Sequence, residues 1–398
     1  VEEVPEERVE IPPPTRVGEV VLGDAVTVEE LVDLLDLEIS EDEKRDRLSA
    51  TEEVVVELPQ LLRHTAVFGT TGSGKTTTVK RLLWEVIRAG IPVLVLDWHG
   101  EYAPLISRFG GRVLRPGDPR NPLTVNVFEP PIAGVRRHEL SNVVEDYELV
   151  VLNLLRDYFE ASDARLSPRM EYLLTKTLEK AYAPFLKSGS PHHLPTFSTI
   201  VSLLEKQPQS ETRDALLVRL HEFTVGSRAR VFNRPTGITA EDLLARSYCI
   251  DLSYASWDER LCRMVSFFIL YQVFHYCKRL GTTEDFRHLT VIEEAPTLLR
   301  PGPLSELTTT IVREARKYGE GLIVVARSPS AIPADIVREA NVKVCHAVSH
   351  TADIDRIRRL LGLDPQQARL LPRLPRGLAF VQTPAGTPRL VRILPPPS

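Results

Sequence analysis

The stretch Ala66-Val-Phe-Gly-Thr-Thr-Gly-Ser-Gly-Lys-Thr-Thr-Thr-Val-Lys80 reads as a short apolar strand, a glycine-rich loop and the start of a helix. Val79, Leu82, Leu83 and Val86 recur at helical spacing and give that helix an apolar stripe. Between strand and helix, Gly69, Thr70, Thr71, Gly72, Ser73, Gly74, Lys75 and Thr76 fit the phosphate-loop pattern GxxxxGK[ST]. The glycines let the backbone bend where a Cβ would clash, so successive N–H groups converge on phosphate oxygens. The helix that follows turns the positive end of its dipole to the same point. Lys75 supplies a point charge for the β- and γ-phosphates, and the Thr76 hydroxyl is a ligand for Mg²⁺. Thr77 continues the same turn and is counted with the nucleotide-binding residues. The segment predicts a chain that binds a nucleoside triphosphate.

Around it lie 398 residues, enough for one large or two ordinary domains, and 43% hydrophobic content fills a core. A net charge of −5 excludes a generally basic nucleic-acid coat but not a local basic surface such as a pore lining. Cys249, Cys262, Cys277 and Cys345 show no CxxC spacing and sit in apolar runs, so they read as reduced core residues of a cytoplasmic protein. No signal peptide is evident, and the most apolar helix, 264–274, is too short to span a bilayer. The chain starts with Val1 rather than Met, so a preceding natural segment, with room for a membrane anchor, is expected. Scarce Asn, Gln and Met suit a thermophilic or archaeal source, although genomic base composition gives the same bias.

Residues 1 to about 15 are acidic and proline-rich and read as an arm, within an N-terminal segment 1–52 that is an arm or a partial domain. A short strand pair is expected over 17–26 and a short helix over 28–37. The charged run 41–47 reads as solvated surface. Residues 53–135 are expected to form the first part of an α/β core, 136–245 a helical insertion, and 246–398 the second part of the core with C-terminal helices and a hairpin. Ile91-Pro-Val-Leu-Val-Leu-Asp97 is a continuous aliphatic run, as in a strand buried on both faces of a parallel sheet. Ligands gather at the carboxyl ends of such strands, which is where Asp97 and Glu101 fall. Adjacent His192 and His193 lie in a proline-rich loop and read as solvated rather than metal-binding. A hairpin is predicted from Leu378-Ala-Phe-Val and Leu390-Val-Arg-Ile around Pro384-Ala-Gly-Thr.

Hydrolysing a phosphoanhydride needs a metal ligand, a polariser for water and positive charge at the transferring phosphoryl group. Leu289-Thr-Val-Ile-Glu293-Glu294 places two carboxylates at a strand's carboxyl end. Glu293 suits Mg²⁺ held through water, and Glu294, one step further out, suits orientation of the attacking water. For positive charge the candidates are Arg316 and Arg313 on a helix end followed by Gly319, Arg327 closing a buried strand, and Arg63 as an auxiliary. An arginine lent by a neighbouring subunit implies a ring.

These residues resemble the HerA/FtsK superfamily of ring-shaped DNA motors, most closely its HerA-like and type IV secretion ATPases. The resemblance is carried by the phosphate loop, Asp97-Trp-His-Gly-Glu-Tyr, Asn121-Pro-Leu, Leu166-Ser-Pro-Arg, Ile250-Asp-Leu-Ser, Ile-Glu-Glu-Ala and Arg313-Glu-Ala-Arg-Lys-Tyr-Gly, and covers about residues 50 to 395. It implies a RecA-like P-loop NTPase core with a mainly parallel sheet, a helical insertion, a homohexamer with ATP between subunits, and DNA in the central channel. It also implies roles for Lys75, Thr76, Asp97, Glu294 and Arg316. Two positions depart from the pattern: Glu293 stands where Asp is usual, and Ala326-Arg327 where Thr-Gln is common. Some 60 N-terminal residues also fall short of the β-barrel that HerA proteins carry.

The expectation is therefore an ATPase that moves DNA as a hexameric ring. It would transfer DNA across a membrane beside a channel protein, at the cytoplasmic face. The alternatives are a HerA-type motor working with a nuclease on DNA ends, and a non-translocating assembly scaffold. Pore contacts are expected around 300–305.

Overall fold

The computed structural model describes residues 18–160, 164–384 and 386–397. The arm expected before residue 16 and Ala385 of the hairpin turn lie outside the described residues. Twelve strands form one sheet: β1 (Glu19–Ala25), β2 (Glu52–Glu57), β3 (Thr65–Phe68), β4 (Val93–Asp97), β5 (Arg112–Pro116), β6 (Pro122–Leu123), β7 (Tyr248–Asp251), β8 (His288–Ile292), β9 (Glu320–Ala326), β10 (Val342–Cys345), β11 (Leu378–Gln382) and β12 (Arg389–Ile393). Their spatial order is β2-β1-β12-β11-β10-β3-β9-β8-β4-β7-β5-β6.

From β10 to β6 every pairing is parallel. Every residue of β3, β4, β7, β8, β9 and β10 is buried, the burial that helices on both faces of a parallel sheet impose and that continuous aliphatic runs satisfy. The register pairs Phe68 with Ala326, Val324 with Ile292, Ile292 with Leu96, and Asp97 with Asp251. The loops after β3, β4, β7, β8 and β9 therefore emerge at one edge of the sheet. That alignment builds the site.

From β10 to β2 the sheet is antiparallel. The expected strand pair over 17–26 is instead a single strand, β1, whose partners are β2 and β12. A bulge between Val21 and Gly23 sets its register. A Cβ at Gly23 would fall 2.1 Å from the Arg392 carbonyl oxygen, so this close approach admits only glycine. The N-terminal residues thus extend the core sheet. The helices 28–35 and 41–47 follow β1, the second having no buried residue.

One face of the sheet packs against the helix Lys75–Arg88 through Val79, Leu82, Leu83 and Trp84. The other packs against the helix Glu259–Arg279, buried on nearly all sides, and against the helices between β6 and β7. Those helices, Leu140–Glu160, Pro168–Ser188, Phe197–Glu205, Glu211–His221, Gly226–Phe232 and Ala240–Ala245, surround an aromatic cluster in which Phe197 stacks on Phe223 at 4.1 Å. Tyr147 and Tyr182 donate to the Val127 and Phe128 carbonyls, which ties this layer to the chain leaving β6. The four cysteines are free and buried. His192 and His193 are exposed, and among the described residues no group of His, Cys, Asp and Glu side chains could hold a metal ion alone. No helix among the described residues is long and apolar enough to cross a membrane.

Candidate nucleotide-binding site

The loop after β3 wraps the N-terminus of the helix Lys75–Arg88. Gly69, Gly72 and Gly74 have φ of 150°, 81° and 118°, a region that disfavours side chains. Crowding adds to this at Gly74, where a Cβ would lie 3.1 Å from the Gly377 nitrogen and 3.2 Å from the His346 ring. The loop is laced internally: the Ser73 hydroxyl donates to the Thr70 carbonyl at 2.8 Å, and Thr70 N–H donates to Ala347 at 2.8 Å. The Lys75 ammonium donates to the Gly69 and Thr70 carbonyls at 2.7 and 2.9 Å.

One cleft is lined by Thr71, Gly72, Gly74, Lys75, Thr76 and Thr77 of the loop and helix. Its other wall is His99, Glu101, Glu293, Glu294, Val325, Arg327 and Arg376. Sequence reasoning thus brought together the phosphate loop, the glutamate pair and Arg327. It placed Glu101 at the strand's carboxyl end but gave it no role, and it missed His99, Arg376 and the buried His346. His99 carried a signal, lying just past the Asp97 strand. Arg376 sits three hundred residues from the loop, and no local pattern marks it.

Glu293 is 4% exposed. Its Oε2 accepts the Trp98 N–H at 3.0 Å. Burial first, then the neighbouring Asp97 carboxylate and a hydrogen bond to it, hold its carboxyl well above the usual range. Asp97 does not line the cleft. Its Oδ1 accepts the N–H groups of His99, Gly100 and Glu101, and its Oδ2 that of Tyr102, at 2.8 to 3.2 Å. Four backbone donors occupy this carboxylate, so in this structure Asp97 holds the loop that follows β4. Glu101, at the end of the loop so held, accepts the Thr76 hydroxyl at 2.6 Å.

Glu294 has φ 46° and ψ 45°, a left-handed backbone that costs about 1–2 kcal/mol outside glycine. Its carboxylate lies 3.2 Å from Arg327 Nε and 3.7 Å from His99 Nε2. Burial lowers the Lys75 ammonium below its usual range, and Glu294 opposes that shift.

The remaining arginines lie elsewhere. Arg63 precedes β3, and Arg316 precedes β9, so both sit at the amino edge of the sheet, a seven-residue strand or ~23 Å from Arg327. There they line one cleft with Lys317, Thr282 and Thr283. Both are exposed, and among the described residues neither forms an ion pair. Arg63 therefore does not bind nucleotide in its own subunit's cleft. Arg313 is 3.1 Å from Asp335 and 3.8 Å from Glu339, which ties it within its own chain and removes it as a free cation. In the segment 300–305, Leu304 is buried and Arg300 lies 3.9 Å from Asp157, so this segment packs on the helical layer.

The family described as the helicase HerA central domain (DUF87) matches residues 46–260, more than half of the chain. The chain belongs to this family. The DNA double-strand break repair helicase HerA of Sulfolobus acidocaldarius is 24% identical over 327 residues, 76% of this chain and 58% of that protein. The protein of the same description from Saccharolobus solfataricus is 24% identical over 325 residues, 76% of this chain and 57% of its own. This HerA-family chain thus spans somewhat over half the length of the curated relatives it matches.

Among solved structures, VirB4 of Thermoanaerobacter pseudethanolicus superposes with a TM-score of 0.72 at 16% identity, covering 96% of this chain and 98% of that one. The bacterial conjugative coupling protein TrwBdeltaN70 gives 0.59 at 14%, covering 96% and 95%. At such identities the likeness is one of fold, a P-loop NTPase core with a largely parallel sheet.

Proposed function

We propose that this HerA-family chain is an ATP-hydrolysing motor that drives DNA through a homohexameric ring. The observation that carries the reading is the separation of the candidate residues between two edges of one sheet. Phosphate loop and glutamate pair share the carboxyl edge, and unpaired Arg63 and Arg316 share the amino edge. A subunit so built lacks a free arginine from its own amino edge at its own cleft, and a ring supplies it from the neighbour.

Within the cleft, the loop N–H groups and Lys75 hold the β- and γ-phosphates of ATP. Thr76, Glu101 and Glu293 offer hard oxygen donors, which suit Mg²⁺ shared with the triphosphate rather than held by protein alone. Bound Mg²⁺ supplies charge neutralisation at the phosphate oxygens. A TrwB structure with ADP and Mg²⁺ is similar in fold (TM-score 0.57, 15% identity) and supports this pairing. Glu294 orients the attacking water. Asp97 holds the loop that carries Glu101. Arg316 of the next subunit, assisted by Arg63, meets the charge that develops on the transferring phosphoryl group.

DNA contact would run mainly to the phosphate backbone and weaken steeply with salt. The curated relatives are named as double-strand break repair helicases, which favours a setting at DNA ends beside a nuclease. Transfer of DNA across a membrane beside a channel protein is the second setting, supported by the VirB4 and TrwB likeness in fold. The test is ATP turnover with and without linear duplex and single-stranded DNA. An intact hexamer whose turnover no DNA stimulates would leave an assembly scaffold and end the motor reading.

A further inference from the structure

A hydroxyl can give its lone pair to a cation only when its own hydrogen points elsewhere, so the Thr76 ligand needs an acceptor for that hydrogen. From sequence, Glu293 at the end of β8 suits Mg²⁺ held through water. The structure gives Glu293 other work. Its Oε2 takes the Trp98 N–H, and it is buried. Among the described residues the Thr76 hydroxyl donates to Glu101 instead, at 2.6 Å, and Glu101 is exposed to the cleft.

Glu101 is also held in place. The Asp97 carboxylate takes its N–H and those of its neighbours on both sides, and Gly100, at φ 73°, lets the loop pass close to Ser253, where a Cβ would come within 2.7 Å of the hydroxyl oxygen. A fixed carboxylate beside a single hydroxyl is a positioning arrangement.

We infer that Glu101 is the positioning residue for the Mg²⁺ of this site. It accepts the Thr76 hydrogen so that Thr76 Oγ1 faces the metal, and it adds a negative charge beside the metal–triphosphate complex. Glu293 keeps its place in the cleft lining and fixes the Trp98 N–H, while Glu101 takes the Thr76 hydrogen. This inference rests on the proposed reading of the cleft as a Mg²⁺–ATP site.

The experiment measures binding rather than turnover. The full chain is titrated with a fluorescent ATP analogue in EDTA, and then with MgCl₂ at fixed analogue, for the unsubstituted protein, K75A, E101A and E101Q. Expected is a Mg²⁺ midpoint raised about tenfold or more in E101A, the range for loss of an outer-shell partner, with metal-free affinity no weaker than in the unsubstituted protein. E101Q keeps a carbonyl that accepts the Thr76 hydrogen and should recover part of the shift. Thermal melting checks that the variants fold, as substitution of an exposed side chain should allow. An unchanged Mg²⁺ midpoint in E101A, with normal binding by the unsubstituted chain and loss in K75A, overturns the role of Glu101 alone. Equal midpoints in E101Q and E101A overturn the orienting role. Analogue binding that survives K75A unaltered overturns the nucleotide site itself, and the inference with it.

Discussion

Arg327 Nε lies 3.2 Å from Oε1 of Glu294, at the ends of the neighbouring strands β9 and β8. Both side chains face the cleft that holds Lys75. The arginine is therefore in contact with the carboxylate proposed to orient water, and it lines the same cleft as the phosphate loop. Arg327→Ala should lower turnover about 100-fold while nucleotide affinity stays within a few-fold, because the contact bears on the reacting end of the site. Arg327→Lys should recover little, since an ammonium does not reproduce the planar guanidinium. Turnover and analogue binding measured on the same preparations check this. Near-normal turnover in Arg327→Ala would remove the residue from the mechanism.

Glu294 holds its place at a conformational cost. With φ 46° it sits where glycine would rest without strain. Glu294→Gln should abolish turnover and keep ATP binding. Glu294→Gly should be equally inactive yet melt no lower than the unsubstituted chain. Relief of left-handed strain, about 1–2 kcal/mol, offsets the added unfolded-state entropy, roughly 0.5–1 kcal/mol, together with the loss of a partly exposed ion pair. A clear fall in melting temperature would show that neighbouring contacts, rather than function, hold the residue there.

The proposed hexamer, with its site divided between the sheet edges of neighbouring subunits, predicts complementation. Arg316→Ala hexamers and Glu294→Gln hexamers should each be inactive. Mixed rings should regain part of the turnover, because some interfaces then join an intact cleft to an intact arginine. Arg313→Ala should leave turnover within a few-fold, since its guanidinium is committed to Asp335 and Glu339. Mixed rings that stay silent across all ratios would mean that Arg316 does not act on a neighbour.

Sequence made the parallel core legible because its strands are buried on both faces and so are written as aliphatic runs, such as Val93–Leu96 and Leu322–Val325. The phosphate loop and glutamate pair were legible for the same reason, lying directly at the ends of those runs. β1 was read as half of a local pair because alternating patterns do not say which distant strand completes them, and its partner β12 lies over 360 residues away. Spacing left the work of Asp97 open: a carboxylate at a strand end can face a ligand or gather the next loop's N–H groups, and spacing is the same in both cases. Arg313 and Arg316 are adjacent turns in sequence, and only the position of the helix Ala334–Glu339 separates their surroundings.

A buried ion pair joins the helical layer to the glutamate pair. Arg263, 1% exposed, meets Asp157 through Nε at 2.5 Å and Nη2 at 2.9 Å, and its Nη1 donates to the Thr297 carbonyl in the short helix that Glu294 begins. Removing one partner strands the other charge in the interior, at a cost of about 3–5 kcal/mol. Asp157→Ala should fall in that range by urea denaturation. Replacing both by apolar residues, Asp157→Leu with Arg263→Met, should restore much of the loss. If the double variant were no better than the single one, the pair would contribute more than mutual compensation.

The last prediction concerns acid. His346 is fully buried beside the phosphate loop, with Nδ1 donating to the Leu378 carbonyl and Nε2 accepting the Thr78 hydroxyl at 2.8 Å. Burial, and in lesser measure the nearby Lys75 ammonium, lower it to about 4, while the Leu378 bond opposes the shift. His64 and His275 are likewise lowered to about 4, chiefly by burial. A histidine near 6.5 when unfolded and 4 when folded binds more protons in the unfolded chain between those values. Its contribution to stability is therefore complete above about 6.5 and is lost as pH falls toward 4. Glu293, raised in the folded state, works in the opposite sense and favours the fold as pH falls. His346 alone should account for roughly 2 kcal/mol of the loss between pH 7 and pH 5. His346→Gln should start less stable at pH 7, through its weakened hold on Thr78 and Leu378, yet lose that much less on acidification. Urea midpoints at the two pH values measure the difference, and an equal acid loss in both proteins would place the titrating groups elsewhere.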